Sequence, residues 1–211
     1  MKVEVYRDFA CSWSRLSVRR FDRAVEMVGG GDIELVHRPY QLNPDLDPDA
    51  APRPLLDVMA GIFGSREQAE SMLGNMARLG AGEGAEYQFD RALAVSTFTA
   101  HRLMWLALRD YPNRIQNALA DAIYDAYFRD GRNIADPAEL TAVAESVGMD
   151  GGTVRAFLAS DEGADEVRAQ VAAARADGVT SVPTFVFPNG EVLRGASETE
   201  AIAEALSRAR G

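Results

Sequence analysis

One residue in this chain can do sulfur chemistry, and it stands where a helix begins. Cys11 is the single cysteine among 211 residues. An intrachain disulfide and a Cys-based zinc site are therefore both ruled out. With only His37 and His101 available, a histidine-rich metal site is not expected either. Cys11 follows the alternating stretch Val3-Glu4-Val5-Tyr6 and precedes the first helical pattern. A helix N-terminus offers unpaired backbone N–H groups and the positive end of the helix dipole. Both favour thiolate over thiol, so the Cys11 pKa is expected to fall below the free value of about 8.5. Ser14 lies one turn on, where its hydroxyl or N–H can donate to the sulfur. Ser12 and Trp13 stand between them, and Trp13 covers one side of the site. A free cysteine is also commonly a small buried hydrophobe, and position alone leaves the two readings even.

A second feature shifts that balance. Val182-Pro183 directly precedes the apolar strand Thr184-Phe185-Val186-Phe187. Proline cannot supply a ladder donor there. A cis bond at this point would turn the chain sharply and leave the Val182 backbone free to pair with an extended ligand. His101 shares a helix face with Phe98 and Trp105, and reads either as a packed histidine or as one facing a cleft. Asp8 caps the strand-to-helix turn or, if close to Cys11, raises its pKa.

The elements that must position these residues can be read from periodicity. Val3 to Tyr6 is a strand, followed by a helix through Leu16, Val18, Phe21, Ala24, Val25 and Val28 that stops at Gly29-Gly30-Gly31. Ile33 to Arg38 returns as a second strand, and such a unit favours a parallel pair with a right-handed crossover. A Pro- and Asp-rich break over residues 43–54 leads into a long helical stretch, interrupted at Gly80 to Gly84. Asp136-Pro137-Ala138-Glu139 is a helix start, with an acid at the N-cap and proline at the first position. A helix with Val167, Val171 and Ala174 ends at Gly178. Pro188-Asn189-Gly190 then separates two short strands as a hairpin. Ser197-Glu198-Thr199-Glu200 reads as a capping box for the last helix. The order is βαβ, a helical block, then helix, ββ, helix. The two flanks complete one four-stranded sheet, with the block as an insertion.

Composition sets outer bounds. The chain is 47% hydrophobic and 26% charged, with a net charge of −10. Lys2 is the only lysine, and the arginines are scattered among acids. A nucleic-acid partner would need a basic stripe, and none is present. No apolar run approaches the roughly 18 residues that span a bilayer, so no membrane partner is expected. The first residues lack a basic region followed by an apolar one, so they do not read as a signal peptide. The expected setting is soluble and cytoplasmic.

The motifs together resemble the DsbA-like oxidoreductases of the thioredoxin superfamily, specifically their FrnE-like branch, over nearly the whole chain. Asp8-Phe9-Ala10-Cys11-Ser12-Trp13-Ser14 looks like that branch's Asp-x-x-Cys-Pro-Trp-Cys. Arg19-Arg20-Phe21, Tyr40-Gln41-Leu42-Asn43-Pro44, Thr97 to Leu103, Ala126-Tyr127-Phe128 and Gly178 to Pro183 are also typical of it. The departures are as informative. Ser12 replaces the family's proline and Ser14 its resolving cysteine; Ser96, Ser181, Thr184 and Ser197 replace a usual Asn, Gly, aromatic and Gln. A related branch, the kappa-class glutathione transferases and 2-hydroxychromene-2-carboxylate isomerases, carries Ser-Pro-Tyr-Ser at the motif and activates glutathione. This chain keeps the first branch's sulfur and the second branch's terminal serine.

The resemblance implies an α/β fold: a thioredoxin-like domain with a central mixed β-sheet, discontinuous over residues 1–50 and 162–211, and a large all-α insertion over 51–161. It implies a loop holding a cis-proline opposite the Cys11 helix end. Cys11 and Ser14 then stand as catalytic residues, with Ser12, Trp13, Val182, Pro183 and His101 binding substrate. No metal and no tightly bound cofactor are expected. Glutathione or another low-molecular-weight thiol would be a co-substrate, the partner a small thiol or a disulfide-containing substrate, and a homodimer is compatible with this. Cys11 would act as a monothiol whose mixed disulfide an external thiol resolves. The alternatives are a small-thiol-dependent transferase or isomerase, and a non-catalytic binding protein on the same fold.

Overall fold

The structure, a computed structural model, describes residues 1–211. In chain order the elements are β1 (Lys2–Arg7), α1 (Ser12–Met27), β2 (Glu34–Pro39), β3 (Arg53–Pro54), α2 (Leu55–Phe63), α3 (Arg66–Gly82), β4 (Leu93–Ala94), α4 (Phe98–Asp110) and α5 (Asn113–Tyr124). A π-helical turn, Asp125–Arg129, follows. Then come α6 (Pro137–Ser146), α7 (Gly151–Leu158), α8 (Ala164–Ala176), β5 (Thr184–Val186), β6 (Val192–Arg194) and α9 (Thr199–Arg210). The chain forms two compact units, Met1–Leu42 with Arg168–Gly211, and Asn43–Val167.

The first unit is a mixed sheet in the order β2-β1-β5-β6. β1 alternates as its sequence demands, burying Val3, Val5 and Arg7. It runs parallel to β2, with Val3 opposite Leu35 and Val5 opposite His37. That pairing requires a crossover, which α1 supplies. β5 lies antiparallel on the other side of β1, with Val5 opposite Phe185, and β6 pairs antiparallel with β5. Val18, Phe21 and Ala24 of α1, and Ile202, Ala205 and Leu206 of α9, join Val3, Val5, Leu35 and Phe185 in one apolar core. The Phe21 and Phe185 rings stack with centroids 5.5 Å apart. The Asn189-Gly190 turn closes the hairpin: the Gly190 amide donates to the Phe187 carbonyl, and Gly190 takes φ +84°. That is the left-handed conformation in which glycine has no steric penalty.

The last helix starts differently from its sequence pattern. Ser197 does not cap it; Glu198 is the N-cap, with no side-chain cap bond. Buried Arg20 explains the difference. Its guanidinium donates to the Ser197 carbonyl at 3.1 Å and pairs with the Glu198 carboxylate at 2.9 Å. These contacts hold the segment across to α1 and take the place of the box.

The second unit is helical apart from the two-residue ladder of β3 and β4. Asp136 caps α6 as its sequence indicates, accepting from the Ala138 amide at 2.7 Å with Pro137 at the first position. The π-helical turn has no sequence signature. It places Tyr127 and Phe128 in a buried aromatic cluster with Tyr124, Tyr87 and Phe89. No helix is long and apolar enough to cross a membrane.

Candidate active site around Cys11

β1 ends at Arg7 and the chain turns through Asp8-Phe9-Ala10. The Cys11 amide donates to the Asp8 carbonyl at 3.1 Å, closing the turn. Cys11 is then the N-cap of α1, with φ −94° and ψ 108°, and its carbonyl accepts from the Ser14 amide at 3.1 Å. An N-cap residue of this conformation directs its side chain toward the free N–H groups of the first turn. Asp8 holds the turn from below. Its carboxylate accepts from the Ala10 amide at 3.3 Å and the Leu42 amide at 2.7 Å.

The sulfur faces the loop before β5. The Cys11 thiol donates to the Val182 carbonyl at 3.5 Å, across 171 residues of sequence. The Val182–Pro183 peptide is cis. Thr184 Oγ1 donates to the Ser181 carbonyl at 2.8 Å, and the Gly195 amide donates to the Pro183 carbonyl at 2.8 Å, so the loop is fixed at both ends. Tyr40, Ala174, Val179 and Val182 surround Cys11, with Tyr6 against them. Arg175 of α8 lies over the Tyr40 ring at 5.1 Å and donates to the Gln41 carbonyl at 2.6 Å. Tyr40, Ala174 and Val179 were not legible as site residues. Tyr40 and Val179 belong to motifs that resemble the family, and that was their one signal.

Cys11 is 8% exposed and Ser14 fully buried, whereas Trp13 is 45% exposed. Ser12 is partly covered. The structure thus brings Cys11, Ser14, Val182 and Pro183 together and leaves Trp13 open to solvent. His101 lies in the helical unit, buried on α4.

The pKa expectation for Cys11 is corrected. Burial pushes the thiol above its ordinary value. The Ser14 hydroxyl and amide and the Trp13 amide pull the other way, and the Asp8 charge adds to the rise. The helix-end donors are present as the sequence indicated, but loss of water outweighs them. The Ser14 hydroxyl makes no hydrogen bond of ordinary geometry, yet it lies close enough to the sulfur to favour its ionised form. One consequence is measurable. Iodoacetamide alkylation of Cys11 is expected to keep rising above about pH 10, where an unperturbed thiol with a pKa of about 8.5 has levelled off. The stability sign follows from the same shift. Burial of the neutral thiol contributes fully below the unfolded thiol's pKa, and that contribution is lost as pH rises through the folded value.

A βαβ–ββα sheet with a cysteine capping its first helix, opposite a cis Val-Pro loop, defines a thioredoxin-like fold. The chain belongs to the DSBA-like thioredoxin domain family, whose model matches residues 2–207. It is 35% identical to a probable DsbA oxidoreductase of Streptomyces coelicolor, SCO1869, covering 100% of this chain and 90% of that one with a TM-score of 0.91. It is 16% identical to a 2-hydroxychromene-2-carboxylate isomerase, covering 99% and 95% of the two chains, with a TM-score of 0.69. It is also 16% identical to the cytosolic disulfide reductase DsbM of Pseudomonas aeruginosa, solved with glutathione. That match covers 100% of both chains at a TM-score of 0.64. At 16% identity the last two likenesses concern the fold alone.

Proposed function

We propose that this protein is a cytoplasmic thiol–disulfide oxidoreductase that works through the single thiol of Cys11. The observation that carries this reading is the seat of the sulfur: at the N-cap of α1, against the Val182 carbonyl, with a serine where a second sulfur would stand. Cys11 and Ser14 do the chemistry; Ser12, Trp13, Val182 and Pro183 serve substrate binding.

In the first step the Cys11 thiol gives up its proton to solvent and the sulfur attacks a substrate disulfide. One S–S bond forms, the substrate's own S–S bond breaks, and the released thiolate takes up a proton. The Ser14 hydroxyl and amide and the Trp13 amide hold the Cys11 sulfur while it is charged. In the second step an external thiolate attacks the mixed disulfide, expels Cys11 and leaves as the new disulfide. Ser14 cannot take that second part, because a hydroxyl forms no disulfide. Glutathione or another low-molecular-weight thiol fits the role, and the DsbM neighbour solved with glutathione supports that choice. The test is turnover of a glutathionylated peptide: the rate should climb in proportion to added glutathione and vanish without it. Turnover that ignores the external thiol would overturn the reading.

One observation favours a second reading. The Ser14 hydroxyl lies beside the Cys11 sulfur and favours its ionised form, and in a transferase or isomerase the same hydroxyl would hold the thiolate of a small thiol. Turnover of an electrophile that survives Cys11→Ser would select that alternative.

A further inference from the structure

Asp8 is the one acid buried beside the sulfur, at 1% exposure, and disulfide exchange at Cys11 does not call on it. A carboxylate so buried is costly unless its oxygens are hydrogen-bonded. Both are: Oδ1 accepts from Ala10 in the turn before α1, and Oδ2 accepts from Leu42, where the chain leaves the thioredoxin unit. The two amides lie on separate segments that meet at the sulfur, since Tyr40 packs against Cys11. The Asp8 carbonyl also accepts from the Cys11 amide. One residue therefore fixes the cysteine's backbone, the turn carrying it, and the segment walling it on one side.

We infer that Asp8 is the positioning residue of the thiol. Its carboxylate clamps the Cys11 turn to the 40–42 segment and so seats Sγ against the Val182 carbonyl. The clamp has an electrostatic consequence, because its negative charge opposes a second one on the sulfur. Asp8 thereby trades thiolate population at rest for a fixed sulfur. Other groups that titrate or carry charge around Cys11 are Tyr6 from β1, Tyr40 after β2, Arg175 over the Tyr40 ring, and Arg15, buried one turn along α1. The 179–183 loop carries none.

The inference rests on Cys11 being the working thiol, but its test does not require turnover. Alkylation of Cys11 by iodoacetamide would be followed against pH in the wild type and in Asp8→Asn, which loses the charge and keeps one acceptor. Asp8→Asn should react roughly three- to tenfold faster near pH 8, with its profile displaced to lower pH. Asp8→Ala should speed amide exchange at both Ala10 and Leu42 by roughly tenfold or more. Coincident pH profiles for wild type and Asp8→Asn would overturn the inference. Should neither variant fold, wild-type exchange decides: protected Ala10 and Leu42 amides support the clamp, and a freely exchanging Leu42 amide refutes it. Failure of glutathione turnover with these results intact would fall on the proposed activity and not on Asp8.

Discussion

Cys11→Ser protein is expected to form no adduct with oxidised glutathione and to lose disulfide-exchange activity by roughly a thousandfold or more. The size of the effect follows from there being one sulfur in the chain. Serine in its place is not ionised at accessible pH and cannot share an S–S bond. The loss should not come from unfolding. Cys11 sits among Tyr40, Ala174, Val179 and Val182, and the substitution exchanges one small side chain for another. The replaced hydroxyl can still donate to Val182, so the stability change should stay within about 1 kcal/mol. Circular dichroism and a denaturant midpoint close to wild type would separate lost chemistry from lost fold. Retained exchange activity would mean that Cys11 is not the nucleophile.

Ser14→Cys is expected to change the product and not merely the rate. With a second sulfur one helical turn from the first, the glutathionyl group should be expelled within the molecule. Intact mass after oxidised glutathione should then be lower than the reduced protein by two hydrogens, where the wild type gains one glutathionyl group. Intramolecular attack by an oriented group carries effective molarities on the order of 10⁵ M or more, so resolution should no longer depend on external thiol concentration. The buried Ser14 position must take a larger atom, at a cost of about 1–3 kcal/mol. A stable glutathionyl adduct on Ser14→Cys would show that position 14 does not reach the mixed disulfide.

The parts of the fold that were legible in the sequence are those governed by local rules. The alternation of Val3 and Val5, the glycine stop after α1 and the Asn189-Gly190 turn each follow from one short-range preference. The parallel β1–β2 pair follows from the crossover between them. The juxtaposition of Cys11 with Val182 spans 171 residues and was reached through the family resemblance, not through local pattern. What failed depended on surroundings that a linear reading does not contain. Ser197 and Glu200 have the spacing of a capping box, yet buried Arg20 recruits the Ser197 carbonyl and Glu198. The helix-end donors at Cys11 follow from its place in the sequence, but the sign of the pKa shift does not, because Tyr40, Ala174 and Val179 exclude water from the sulfur. The sequence offers Asp8 as a cap of the turn or as a charge beside Cys11; in the structure its carboxylate accepts from Ala10 and from Leu42, and its charge opposes the thiolate.

The raised resting pKa sharpens what the site must do. The thiol at rest favours its protonated form and donates to Val182, so under the proposed mechanism exchange begins from a quiet sulfur. Stabilisation comes from Ser14 and Trp13 donors that gain strength only once charge appears, which is where a donor lowers a barrier most. Such a site is expected to be slow with small alkylating agents.

The most direct test is intact mass of the wild-type protein after oxidised glutathione across a range of pH, followed by added reduced thiol. The expected result is a single glutathionyl adduct, forming faster as pH rises and discharged completely by the added thiol. No adduct even well above pH 9, or one that added thiol cannot remove, would contradict a monothiol exchange site at Cys11.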